Sequence, residues 1–286
     1  MPNNTRPSTK KRGSGKKKSG LKLTWPEILA SAIVLISLGF LLGHFTLDNS
    51  SYQGLPSEQE LEYNDYDTSC YYYTDDGRLH YEDDNYKSVT VMDVSYVQKE
   101  IDWEQVKEQD IDMVMIRLGF RGYNSGINTL DEFYERNVEG ARKAGIKMGV
   151  YFFSQAITPE EAIEEADFVL KHIKGKHIDG PIAFDMEPLE NANRITHLTS
   201  EERTMIADAF LHRIEKKGHE VLLYGNPTWL GSSLWMSRLT KYDVWLAHYT
   251  NYTQWPYDYV MWQYTSTGRV PGVTGDVDLS VMLIKK

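Results

Sequence analysis

From residue 88 to the end, short apolar, β-branched runs alternate with amphipathic stretches, and no other feature limits the fold as severely. The runs are SVTVMDVS (88–95), DMVMIRLGF (112–120), KMGVYFF (147–153), PIAFDMEP (181–188), EVLLYGN (220–226), DVWLAHY (243–249), YVMWQYT (259–265) and DVDLSVM (276–282). Between them, WEQVKEQ (103–109) reads as a short helix with Asp102 as its N-cap. Asp131 to Ala144 has helical spacing and a glycine where a helix would stop. Thr158 with Pro159 and Glu161, and Thr199 with Glu202, mark two further helix starts; Gly218 ends the second. Continuous apolar strands alternating with amphipathic helices mean a parallel sheet covered on its faces. The chain is therefore expected to be α/β, with residues 88–286 forming an irregular (β/α) TIM-like barrel with reduced helices. A doubly wound open sheet is the runner-up. Such a sheet usually carries a Gly-rich phosphate turn after its first strand, and DVSYVQKE has no glycine.

The first 87 residues have a different character. Residues 1–22 hold eight basic side chains and no acidic one, whereas the rest has 23 basic against 41 acidic. An acidic body argues against nucleic acid as a partner, because phosphate contacts need clustered Lys and Arg. Ile28 to Phe45 contains no Asp, Glu, Lys or Arg. As a helix it would span roughly 27 Å, close to the apolar thickness of a bilayer. The reading is a basic cytoplasmic tail (1–24), a transmembrane helix (25–45) with Trp25 at the interface, and an outer body oriented by the positive-inside rule. The expected location is thus the cell membrane, single-pass, with the barrel outside. A cleaved signal peptide and a buried helix of a soluble domain are the competing readings. Residues 46–87 carry eleven acidic residues, two basic ones and eight tyrosines, and read as an acidic Tyr-rich linker; docking of those tyrosines on the barrel is the alternative. The lone cysteine, Cys70, lies in this stretch, exposed on that reading. It excludes an internal disulfide framework and a Cys-based zinc site.

The chemistry is expected at the C-terminal ends of the barrel strands. Asp93 ends the first run, Asp185 and Glu187 the fourth, and Asp278 lies in the eighth, where Asp276 shares its face. Side chains at i and i+2 of a strand point to the same side, with Cα atoms about 6–7 Å apart. Two carboxyls held together in a cavity cannot both ionise freely, so one is kept protonated near neutral pH and can act as a general acid. Glycosidic bond cleavage uses such a pairing. Tyr151, Trp245, Tyr249, Trp262 and Tyr264 supply aromatic faces suited to sugar rings, although aromatics in strands also serve as plain core. The eight histidines show no H-x-H or H-E-x-x-H spacing and there is no G-x-S-x-G elbow, so neither a metal nor a cofactor is expected and a serine hydrolase lacks its motif.

These residues fall in ordered blocks: MDVSYVQKEIDW (92–103), IRLGF with Gly122 after it, Phe133 with Asn137, AGIKMGVYFF (144–153), FDMEP (184–188), LLYGN (222–226), VWLAHY (244–249) and MWQYTSTGRVPGVTGDVDLS (261–280). In that order they resemble glycoside hydrolase family 25, the Chalaropsis-type muramidases, over residues 89–283. The resemblance implies an irregular β/α barrel that cleaves the β-1,4 bond between N-acetylmuramic acid and N-acetylglucosamine in a peptidoglycan glycan strand. It implies Glu187 as proton donor, and Asp185 as the acid that orients the 2-acetamido group or stabilises the oxocarbenium ion. Asp93 and Asp278 would be the remaining acids and Tyr151 an active-site tyrosine. Two departures border the groove. The family usually has Gly after the Gln of the first block and often His before it, where Val97 and Lys99 flank Gln98. Phe152 follows Tyr151 where His is common. The implied activity is a membrane-anchored muramidase, remodelling wall or serving a wall-machinery protein partner. A non-catalytic wall-binding or scaffold barrel, or a hydrolase of another N-acetylated glycan, would fit the same barrel.

Overall fold

The computed structural model describes residues 54–189 and 194–286. The expected cytoplasmic tail (1–24) and transmembrane helix (25–45) lie outside the described residues. Among the described residues no helix is long and apolar enough to cross a membrane.

After β1 (Tyr71–Tyr73) and β2 (Leu79–Tyr81), eight strands close into a barrel: β3 (Tyr86–Val94), β4 (Met113–Arg121), β6 (Lys147–Ser154), β7 (Ile182–Met186), β8 (Val221–Gly225), β9 (Asp243–Ala247), β10 (Met261–Gly268) and β11 (Val277–Lys285), while the short β5 (Asn128–Leu130) pairs antiparallel with the end of β4. Their order around the ring is β3-β11-β10-β9-β8-β7-β6-β4, and pairing of β4 with β3 completes it. All eight expected runs are strands of this one sheet. The sheet is not wholly parallel, however: β11 runs antiparallel to both β10 and β3. The reason is local. Only a short turn separates β10 from β11, too short for the crossover that a parallel strand requires.

The helices are reduced in number, as expected. They are α1 (Trp103–Lys107), α2 (Tyr134–Ala144), α3 (Pro159–Ile173) and α4 (Ser200–Glu215). Asp102 caps α1 through Gln105 N–H, Thr158 caps α3 through Glu161 N–H, and Thr199 and Glu202 form the capping box of α4. Gly145 ends α2 in the left-handed conformation at φ 74°. The expected helix at Asp131 begins three residues later, because that carboxylate instead accepts N–H bonds from Phe133 and Tyr96.

Period-2 alternation divides the apolar side chains into two layers. Outward residues such as Phe152 and Phe184 pack beneath the helices, with Phe184 5.0 Å from Phe210 of α4. Inward residues plug the barrel: Val91, Met113, Met115, Ala183, Leu222 and Met261. Gly149 is inward too, and a Cβ there would lie 2.4 Å from Met115 Sδ, so its missing side chain makes room for the plug.

The expected linker is a spacer in neither shape nor contact from Gly54 onward. A hairpin of β1 (Tyr71–Tyr73) and β2 (Leu79–Tyr81) lies against the outside of the barrel, with Leu79 and Tyr81 fully buried. The Tyr66 hydroxyl donates to the carbonyl of Tyr259 at 2.7 Å, and the Tyr71 hydroxyl lies 2.9 Å from that of Tyr259. The acidic composition suggested solvation; Tyr66, Tyr71 and Tyr81 decide otherwise, since their rings pack against the barrel while each hydroxyl finds a partner. Cys70 is free and half-buried against this layer, not exposed.

Candidate active site

The inward positions nearest the strand ends hold no plug residues. Continuing the same alternation past Val91, Met115, Ala183, Leu222 and Met261 gives Asp93, Arg117, Asp185, Tyr224 and Gln263. Tyr151, Phe153, Trp245, Glu187 and Asp278 complete the lining of a cavity of about 200 Å³ at this mouth. The reversed direction of β11 brings its beginning to the mouth, where Asp278 pairs in register with Asp93 across the closing seam. Asp276 stays at the rim, its carboxylate 2.7 Å from Arg269.

The four carboxyls form two contacting pairs, Asp93 with Asp278 and Asp185 with Glu187. Burial raises Asp93 well above the usual carboxylate range, Asp278 raises it further, and Gln263 partly offsets this. Asp185 is raised well above that range by burial and then by Glu187. Glu187, less deeply placed, is raised by burial, partly offset by its hydrogen bond with Asp185, and raised further by Asp278. Asp278 is raised by burial. Each pair therefore retains a shared proton at a pH where isolated acids are ionised, and the pair rather than either residue titrates. One oxygen of Asp185, Oδ1, is buried without a hydrogen-bond partner.

Neighbours hold these acids in place. Gln263 Nε2 donates to Asp93 Oδ2 at 2.8 Å, while its Oε1 accepts from the hydroxyls of Tyr224 and Tyr249 at 2.9 and 2.8 Å. Arg117, the one cation lining the cavity among the described residues, is gripped by buried Asp131 at 2.8 and 2.7 Å. Gln155 donates to the backbone carbonyl of Glu187 at 3.0 Å. The loop beyond β7 is tied back by Arg194, which bonds the carbonyl of Gln155 at 2.6 Å and the carboxylate of Glu161.

Of the residues expected from sequence, Asp93, Asp185, Glu187, Asp278, Tyr151 and Trp245 line the cavity. Trp245 does so as floor, buried, with its indole N–H donated to Ser280. Tyr249 stands at the edge, 53% exposed, and reaches in through its hydroxyl. Trp262 and Tyr264 do not belong to the site. They flank inward Gln263 and so point outward, Trp262 donating to the carbonyl of His248 and packing 5.3 Å from Tyr71, and Tyr264 packing against Tyr73. Sequence reasoning missed Arg117, Phe153, Tyr224 and Gln263. What places Gln263 is pairing: its partners in register are Ala247 and Ser280, both on the inner face with Trp245. Among the described residues no group of three or more His, Cys, Asp or Glu is placed to hold a metal ion.

Residues 92–273 match the sequence pattern of Glycosyl hydrolases family 25. The chain belongs to this family. It is 27% identical to lysozyme M1 of Streptomyces globisporus over 201 residues, covering 65% of each protein. The bacterial lysozyme of Streptomyces coelicolor superposes with a TM-score of 0.57 at 25% identity, over 68% of this chain and 91% of that one. The modular autolysin LytC of Streptococcus pneumoniae, solved in complex with a synthetic peptidoglycan ligand, shares the fold with a TM-score of 0.62 at 24% identity. That likeness covers 78% of this chain and 52% of LytC, so the chain spans about half of that protein and just under two thirds of lysozyme M1. Family 25 membership agrees with the barrel topology.

Proposed function

We propose that the chain is a membrane-anchored muramidase that hydrolyses the β-1,4 bond between N-acetylmuramic acid and N-acetylglucosamine in peptidoglycan. The observation that carries this reading is the pairing of four carboxyls in one cavity beside a fixed cation. Glu187, the more accessible member of its pair, gives its proton to the glycosidic oxygen as that bond breaks. The Asp185 carboxyl accepts the N–H of the 2-acetamido group, whose carbonyl oxygen is thereby directed at the anomeric carbon. Positive charge developing there is balanced by the Asp93–Asp278 pair, which holds one proton between two carboxyls. Water then completes hydrolysis, with Glu187 recovering the proton. This substrate-assisted route is one of the exceptions to simple two-carboxylate schemes.

The test is release of reducing ends from purified peptidoglycan by the full-length protein. Glu187→Gln is expected to lower turnover by about 10²–10⁴-fold, the usual contribution of a general acid. Retention of full turnover would refute the assignment. The anchor is supported by the uncharged run over 28–45 beside eight basic residues. Protease added to intact cells is expected to remove the barrel and spare an N-terminal stub; a fully protected chain would reverse the topology.

A further inference from the structure

A second cavity lies outside the rim of the barrel, next to the acids but separate from them. It measures about 580 Å³, within the roughly 300–1,000 Å³ of ligand sites. One wall is the β1–β2 hairpin, contributing Tyr73; the others are the loop after β9, with Tyr249, Thr250 and Asn251, and the tip of the β10–β11 hairpin, with Thr267 and Arg269. The hairpin wall precedes the stretch that matches family 25.

Two features give this groove a chemical character. Tyr73 and Tyr249 are each about half exposed, at 49% and 53%, although the tyrosines behind them are buried. Exposed rings beside hydroxyl and amide side chains form an amphipathic surface, apolar on the ring faces and hydrogen-bonding between them. A pyranose has the same two-sided chemistry: C–H groups on its faces, hydroxyl and acetamido groups at its edge. Tyr249 also belongs to both places. Its ring lines the groove, and its hydroxyl is bonded to Gln263 in the acid cavity. A polymer seated across the acids would meet Tyr249 on leaving them and continue into the groove.

We infer that this groove is an accessory glycan subsite, in which the β1–β2 hairpin binds N-acetylated sugar units of the strand beyond the bond being cleaved. The inference rests on the muramidase reading for its substrate class, and the experiment separates the two. The full-length Glu187→Gln protein is titrated with stem-free oligosaccharides of alternating N-acetylglucosamine and N-acetylmuramic acid, a tetrasaccharide and an octasaccharide. The octasaccharide is expected to bind more tightly. Tyr73→Ala is expected to weaken the octasaccharide by about three- to tenfold more than the tetrasaccharide, the value of one aromatic contact. Tyr73→Phe, which keeps the ring face, restores the difference, and Asn251→Ala on the opposite wall reduces it. Equal losses on both lengths, or no loss on either, would overturn the inference. If the unaltered protein fails to cleave peptidoglycan yet shows the length-dependent loss, the groove stands and the muramidase reading falls.

Discussion

Replacing Gln263 by leucine tests the architecture of the site most directly. This amide holds Asp93 on one side and two tyrosine hydroxyls on the other, at 2.8–2.9 Å. Leucine has similar bulk and none of these bonds. Half-exposed Tyr249 can turn its hydroxyl to water, whereas Tyr224 and Asp93 are buried and lose their partner. A buried polar group without its partner costs about 1–3 kcal/mol, and the small cavity offers water to only part of the pair. The expected loss is therefore about 1–3 kcal/mol, or about 3–10 °C in Tm for a domain of this size. Turnover should fall further than stability. Gln263 opposes the burial that raises Asp93, and a bond to a charged group is worth about 1.5–3 kcal/mol, or roughly 10–150-fold in rate if it acts in the transition state. Gln263→Glu separates the contributions. It still accepts from both tyrosines but brings a further carboxyl against Asp93, so Tm should change little while the pH profile of turnover moves upward. Calorimetry and reducing-end assays at several pH values measure both. If Gln263→Leu melts with the unaltered protein and keeps its turnover, Gln263 does not pin Asp93 and the account of the site is wrong.

Arg121→Leu strands Glu165, which is wholly buried and bonded to that guanidinium at 2.7 Å. Burial raises Glu165 to about 7, above its unfolded value, so the native state holds a proton that the unfolded chain has released and stability falls as pH rises through that window. Without Arg121 the native value rises further; the expected loss is about 3–5 kcal/mol at about pH 8 and smaller at about pH 5, as urea titrations would show. Lys99 sits at φ 56° and ψ −134°, a region that favours glycine, so Lys99→Gly should stabilise by about 1 kcal/mol and raise the denaturant midpoint. Tyr71→Ala should destabilise the barrel by about 2–4 kcal/mol, since its ring packs on Tyr81 and Trp262; an unchanged Tm would mean that the hairpin is not part of the folded unit.

The eight strands and the Asp185–Glu187 pair were legible because both depend on short-range pattern, whereas Asp93 and Asp278 were singled out by the family resemblance. Period 2 places Asp185 and Glu187 on one face whatever the partners are. The errors arose where pattern leaves the face undecided. MWQYT is apolar on both sides, and a shift of one residue exchanges Gln263 for Trp262 and Tyr264. Only pairing with Ala247 and Ser280 resolves it, and register is a long-range property. Arg117 was unreadable for a similar reason, because its anchor, Asp131, had the look of a helix start. The docked tyrosines were misplaced because net charge describes solvation and not the shape of the surface that receives the rings.

The seam between the first and last barrel strands has a temporal consequence. Asp93 meets Asp278 only when β11 zips against β3, and Asp93 meets Gln263 across 170 residues of chain. Nearly the whole polypeptide therefore leaves the ribosome before the four acids can come together. Chains lacking the final strand keep Asp93 without the carboxyl it pairs with, so the four-acid cavity is a product of closure itself.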